Sequence, residues 1–221
     1  LEVAHRITEQ TKIFLYFLPS DQFSPKWLCN FLYNFRFHVN YISGNYQGSG
    51  NHLITQAQAE AYAGILFPEF KDADTWASNG ITALNSQIMN QTLEDGFQYE
   101  LDLSYHIGAI ADFYLTMDLA TANGKAHLFP ASYTDRMRRM TDVVMNLTYP
   151  DYSVPNMNDT RKSTYTKSVL TRNFRNYFRI FPDNEQMQWM AESGMKGTKP
   201  THYTKAFENS GYYVMKSGWD K

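Results

Sequence analysis

The chain has 221 residues, of which 43% are hydrophobic and 19% charged: enough apolar material for a sizeable core and too much for a disordered chain. Its net charge of −2 gives no global attraction to polyanions, so an anionic ligand must meet a local cluster of cations. The single cysteine, Cys29, excludes an internal disulfide, and no apolar run approaches the ~20 residues that a membrane-spanning helix needs.

The sequence opens inside a helical pattern, LEVAHRITEQ, and is expected to be a piece of a longer protein. Residues 3–18 carry Val3, Ile7, Phe14 and Leu18 on one helical face. Ser24-Pro25 opens a second helix that runs through Trp27, Leu28, Phe31, Leu32 and Phe35, with proline at a tolerated first-turn position. The stretch GSGNHLITQAQAEAYAG at 48–64 predicts a third, in which Leu53, Ala57, Ala61 and Gly64 share a face at spacings of four and three. This helix stops before Pro68 and begins at Asn51-His52, where asparagine suits an N-cap. A fourth helix is expected over 72–90, a turn at LEDG (93–96), and a fifth helix over 105–121 that ends at Asn123-Gly124. A sixth spans 131–148 and stops before Pro150. The loop YPDYSVPNMNDT (149–160) is long enough to be functional, and two more helices follow at 165–180 and 184–193. THYTKAFENSGYYVMKSGWD (201–220) alternates β-formers about a Ser-Gly turn and reads as a hairpin. The expected organisation is an all-α domain over 1–200, its successive helical hairpins consistent with an α/α toroid, followed in 201–221 by the first strands of a β domain.

Two segments concentrate groups able to do chemistry. Asn51 and His52 stand on the first turn of a helix, and in LEDGFQYELDLSYH (93–106) Glu94, Asp95, Gln98, Glu100, Asp102, Tyr105 and His106 crowd the approach to another. Between Thr160 and Pro182 lie Arg161, Lys162, Lys167, Arg172, Arg175 and Arg179 with no acidic residue, which is either a solvated face or an anion-binding one. Arg136, Arg138 and Arg139 form a second cluster, read as surface. Aromatic residues reach 16%, a level that suits a core as well as a cleft in which rings stack on sugars. No zinc spacing and no phosphate-binding glycine loop is present, so nucleic-acid and nucleotide chemistry are unsupported.

GNHLITQAQAEAYAGILFPEFKDADTWASNGITALN, DGFQYELDLSYH and LTYPDY together resemble bacterial heparan-sulfate lyases of the heparinase III type, within the wider heparinase II/III and alginate lyase group; the similarity runs from about residue 40 to SGYYVMKSGW. The resemblance implies an incomplete α/α toroid followed by an antiparallel β-sandwich, and β-elimination at hexosamine–uronate linkages. That reaction needs a group to neutralise the uronate carboxylate, a base for the C5 proton and an acid for the leaving O4. Carried over residue by residue, Asn51 neutralises the carboxylate and Tyr105 supplies acid and base chemistry, while a further histidine is expected from the β domain beyond Lys221. His52, Glu94, Gln98, Glu100, His106, Arg172 and Arg175 are the substrate-binding candidates. The resemblance further implies an acidic glycosaminoglycan as partner, no nucleic acid, no membrane insertion and a periplasmic or secreted location. It calls for no cofactor in this piece, a structural divalent cation in the β domain being compatible with it. The piece alone is expected to be inactive. Another uronate polymer such as alginate, a non-catalytic carbohydrate-binding module, and a hydrolase built on Glu94, Glu100 and Asp102 are the alternatives.

Overall fold

The computed structural model describes residues 1–160 and 165–219. Among them the elements run α1 (Glu2–Phe17), α2 (Pro25–Ser43), α3 (Asn51–Leu66), α4 (Ala73–Asn90), α5 (Leu103–Ala122), a 3₁₀ turn (Ala126–Leu128), α6 (Ala131–Leu147), α7 (Lys167–Ile180), α8 (Glu185–Ala191), β1 (Thr204–Phe207) and β2 (Tyr212–Met215). The all-α class expected from the periodicity is what is found, with a small antiparallel sheet in which Thr204 faces Met215 and Phe207 faces Tyr212. Ser24, Thr166 and Asn184 cap α2, α7 and α8 by accepting the N–H groups of Trp27, Val169 and Met187.

The structure divides into two compact units: Leu1–Ile88 with Ala111–Tyr133, and the described residues of Met89–Ile110 with Thr134–Lys221. The hairpin belongs to the second unit.

In the first unit, α1 and α2 pack on α3 around Ile7, Phe35, Val39, Ala59, Ala63 and Phe67. Much of the aromatic content goes here. Phe31 stacks on Phe14 at 5.1 Å and on Phe35 at 5.6 Å, and Phe35 meets Phe67 at 4.5 Å. Small residues set the α3–α4 contact. A Cβ at Gly64 would lie 2.3 Å from the Ala73 carbonyl oxygen and the Ala77 nitrogen, and one at Gly80 would lie 2.5 Å from the Ala57 carbonyl oxygen. The small-residue stripe read from the sequence is thus a close backbone approach, not merely an apolar face.

In the second unit α7 packs on α8. Phe174, Tyr177, Met187 and Met190 are buried there, and the Tyr152 hydroxyl donates to the Met190 carbonyl at 2.7 Å. The hairpin rests on the 93–97 turn. Tyr212 stacks on Phe97 at 4.9 Å, and the Ser210 N–H donates to Asp95 at 2.7 Å.

Gly64→Ala should destabilise the protein by about 1–3 kcal/mol in urea unfolding, because the methyl has only backbone to displace. Gly108→Ala, at an exposed position of α5 with nothing within 4 Å of the added carbon, should be neutral or stabilising by up to about 1 kcal/mol.

Candidate functional site

α3 is launched from a loop that is held down by the helix's own side chains. The Gln47 N–H donates to Gln56 Oε1 at 2.9 Å, and the Gln56 amide reaches back to the Asn45 carbonyl at 3.5 Å. One turn further, the Tyr46 hydroxyl donates to Glu60, whose side chain is fully buried. Burial raises the Glu60 carboxyl above the usual carboxylate range, against the lowering effect of Tyr46. Burial, with Glu60 beside it, also pushes the Tyr46 phenol up, so Tyr46 keeps its proton and remains the donor.

The clamp fixes how the helix starts. Gly50, at φ 86 and ψ −177, is the N-cap, and no side chain caps α3. Asn51 is therefore the first helical residue and not the cap, which corrects the expectation from the sequence. A capping asparagine has to bend its amide back onto the helix, and the glycine conformation removes that need. The Asn51 side chain is exposed and makes no hydrogen bond among the described residues. His52 is half-buried, its Nδ1 2.8 Å from Gln47 Oε1, so an Nδ1–H tautomer is oriented by the same loop. Neighbouring α3 side chains secure α5: Gln58 donates to the Asp112 carbonyl at 3.0 Å and Thr55 to the Asp112 carboxylate at 3.4 Å. Burial lifts the Asp112 carboxyl to about 6.

Tyr105 stands in the first turn of α5, in the second unit. Asp102 caps that helix. Its Oδ1 takes the N–H groups of Ser104 at 2.8 Å and Tyr105 at 2.9 Å and the Ser104 hydroxyl at 2.6 Å, and its Oδ2 takes the Thr160 hydroxyl at 2.8 Å. Burial alone would raise this carboxyl, but the donors outweigh it and hold the pKa below the ordinary value. Asn158 closes the loop by donating to the Glu100 and Leu101 carbonyls. The Tyr105 ring is 39% exposed and its hydroxyl has no partner among the described residues, so it is open to a ligand.

Several other candidates have structural occupations. His106 is fully buried. Its Nδ1 accepts the Gln98 N–H at 3.1 Å and its Nε2 lies 2.8 Å from the Met140 carbonyl, which fixes the Nε2–H tautomer; burial brings its pKa down to about 4. It is an interior histidine that ties the 98–106 turn to α6, and it presents no edge to a substrate. Gln98 is corrected likewise: 1% exposed, it donates to Glu100 and accepts the Glu100 N–H. Glu94 pairs with Arg136 at 2.8 Å and Arg139 at 3.4 Å. Arg136 is not a surface residue: it is buried and donates to the Thr92 and Leu93 carbonyls at 2.7 Å each. With Asp102 a cap, Glu94 ion-paired and Glu100 bound to Gln98, the three carboxylates do not form the facing pair that hydrolysis needs.

On α7, Arg172 is exposed and Arg175 lies 3.6 Å from Glu192, so part of the basic run is compensated; Arg161 and Lys162 lie outside the described residues. His202 is held by Asn146 at 2.7 Å, while His127 is exposed. Among the described residues no group of three or more His, Cys, Asp or Glu could hold a metal ion. The structure thus assigns Asn51 and His52 to one unit and Tyr105, Glu94, Gln98, Glu100, His106, Arg172 and Arg175 to the other. The sequence reading missed Gln56 and Glu60; two polar side chains four apart inside an Ala-rich helix were the available signal.

The family described as Heparinase II/III N-terminus matches residues 1–189. A heparin-sulfate lyase of Bacteroides thetaiotaomicron is 39% identical over 232 aligned residues, covering 99% of this chain and 33% of that protein. A heparin-sulfate lyase of Pedobacter heparinus is 34% identical over 100% of this chain and 33% of its own length. A crystal structure of heparinase III superposes with a TM-score of 0.92 at 39% identity, over 100% of this chain and 35% of the other. The chain spans about a third of the length of the curated relatives it matches.

The two helix starts respond differently to truncation. Asp102→Ala should cost about 0.5–2 kcal/mol in urea unfolding at neutral pH, whereas Asn51→Ala should cost nothing measurable, since Gly50 is the cap. Because the Asp102 pKa lies below its unfolded value of about 3.9, its contribution is present above that pH and is lost as pH falls through the folded value. The stability gap between wild type and Asp102→Ala should therefore narrow in unfolding curves taken at successively lower pH below about 4.

Proposed function

The chain belongs to the heparinase II/III family, and from that premise we propose that it is the helical part of a polysaccharide lyase that cleaves hexosamine–uronate linkages of heparan sulfate by β-elimination. What carries the reading is that the two side chains which match the lyase motifs, Asn51 and Tyr105, each stand exposed on the first turn of a helix with no partner among the described residues. The curated relatives are heparin-sulfate lyases, which supports the same substrate class.

In this reading the Asn51 amide donates to the uronate carboxylate, and the partial positive charge of the uncapped α3 terminus adds to it. That makes the C5 proton removable. The base takes the C5 proton, the C5–H electron pair becomes the C4–C5 double bond, and the C4–O4 bond breaks. Tyr105 protonates the leaving O4, and the phenolate so formed recovers a proton before the next turnover. His52, oriented through Gln47, stands beside Asn51 as a second donor.

We assign residues 1–200 to the toroid part of the lyase and 201–221 to the start of a β-sandwich. Tyr213 and Met215, 67% and 80% exposed on β2, support further strands packing there. The partner is an acidic glycosaminoglycan and the location periplasmic or secreted.

Elimination leaves a double bond conjugated to the carboxylate, which absorbs in the ultraviolet, and hydrolysis does not. The intact protein should generate that absorbance on heparan sulfate, and Tyr105→Phe, which keeps the ring, should nearly abolish it. Asn51→Ala should lower kcat by about 10²–10³ with unchanged thermal unfolding. New reducing ends without absorbance would refute the lyase reading.

A further inference from the structure

The loop at 149–160 ends at Thr160, a buried residue whose hydroxyl reaches the start of α5 from 57 residues away in sequence. The helix begins at Leu103, and the Asp102 side chain takes the N–H groups of its second and third residues, Ser104 and Tyr105, as an N-cap ordinarily does. That leaves the Leu103 N–H, which a cap side chain does not serve. Thr160 Oγ1 accepts it at 3.0 Å and shares the Ser104 N–H at 3.2 Å, while its own proton goes to Asp102 Oδ2 at 2.8 Å. The first turn of α5, which carries Tyr105, is thus held by two side chains, one of them from a distant loop.

The end of that loop is itself fixed from several sides. Asn158 donates to the Leu101 carbonyl at 2.9 Å, and the Tyr212 hydroxyl donates to the same oxygen at 3.3 Å. The Thr160 N–H donates to the Met157 carbonyl at 2.9 Å, which closes the turn between them. Leu101 and Asn158 have φ of 57 and 49. Asparagine tolerates this left-handed conformation, whereas leucine is strained in it, and such strain persists only where the surroundings over-determine the backbone.

Tyr105 gives this bracing a consequence. Its ring is 39% exposed and no hydrogen bond among the described residues holds its hydroxyl, so the placement of that oxygen depends on the backbone that carries the ring. A general acid has to lie within hydrogen-bond reach of the leaving oxygen, and a displacement of about 1 Å can cost on the order of 10² in rate. A capped helix start as such requires only Asp102. We propose that Thr160, 4% exposed, is a positioning residue for Tyr105, which it serves through the α5 backbone without touching the substrate. The assignment rests on the polysaccharide lyase reading.

The test uses the intact protein and follows the ultraviolet product on heparan sulfate at a temperature well below unfolding. Thr160→Val keeps the shape of the side chain and removes the hydroxyl; kcat should fall about tenfold while KM stays within about twofold, since Tyr105 acts on the leaving group and not in binding. Thr160→Ser, which returns an oxygen to the same place, should recover most of kcat. Tyr152→Phe removes another buried hydroxyl bond of the same loop, to Met190, and should leave kcat unchanged. Carbon NMR of the tyrosine rings, with the Tyr105 signal assigned by its loss in Tyr105→Phe, should show that signal shifted in Thr160→Val and restored in Thr160→Ser. Full kcat with an unshifted signal in Thr160→Val, or an equal loss of kcat in Tyr152→Phe, overturns the positioning role. Should Thr160→Val not fold, Asn158→Ala, which frees the loop end from the Glu100 and Leu101 carbonyls, is read by the same criteria. Absence of ultraviolet product from the wild-type protein overturns the lyase reading, while the Tyr105 signal still decides whether Thr160 places the ring.

Discussion

An α-helix leaves its first N–H groups without intrahelical acceptors, and the candidate site takes its form from how each helix start meets that constraint. α2, α5, α7 and α8 meet it with Ser24, Asp102, Thr166 and Asn184 side chains. α3 does not; it starts from Gly50, whose φ of 86 is open to glycine and strained for other residues. The consequence is a helix start without a side-chain cap and a first residue, Asn51, whose amide is not folded back onto the backbone. The same constraint acts in the opposite sense at α5. There the cap is so well satisfied that Asp102 is withdrawn from chemistry, and Tyr105, two residues into the helix, is carried on a rigid start.

An uncapped helix start costs stability unless something else fixes the loop in front of it. The contacts of Gln56 and Glu60 with residues 45–47 supply that. They are made from the second and third turns of α3, so loop and helix move as one body. A fully buried carboxyl is an expensive way to hold a loop. Its pairing with a tyrosine hydroxyl makes it tolerable, because that hydroxyl donates to the carboxyl in place of the water lost on burial. Buried polar clamps of this kind fix a unique geometry better than an apolar contact of the same area, which could slide.

The helices were legible because their signals are local: Ser24-Pro25, Asn123-Gly124 and Pro150 mark ends through backbone geometry that depends on few neighbours. Asn51 and Tyr105 were singled out through the resemblance of their two segments to a known family. What was not legible depends on burial, which periodicity does not assign to single polar residues. His106 follows Tyr105 directly and reads as its chemical companion, yet one residue of helical rotation takes it from an exposed position to the interior. Arg136 sits among Arg138 and Arg139 in sequence, and the same rotation buries it alone of the three. The cap at Asn51 was misread by a single position, because the sequence rule favours asparagine and does not see that a glycine before it has already turned the chain.

These corrections change where positive charge is available on a chain with a net charge of −2. Arg36, Arg136, Arg138 and Arg139 are paired with Asp72, Glu94 and Asp183, and Arg136 is further bound to backbone carbonyls. Guanidinium groups, with several fixed donors, are thus used to hold turns together.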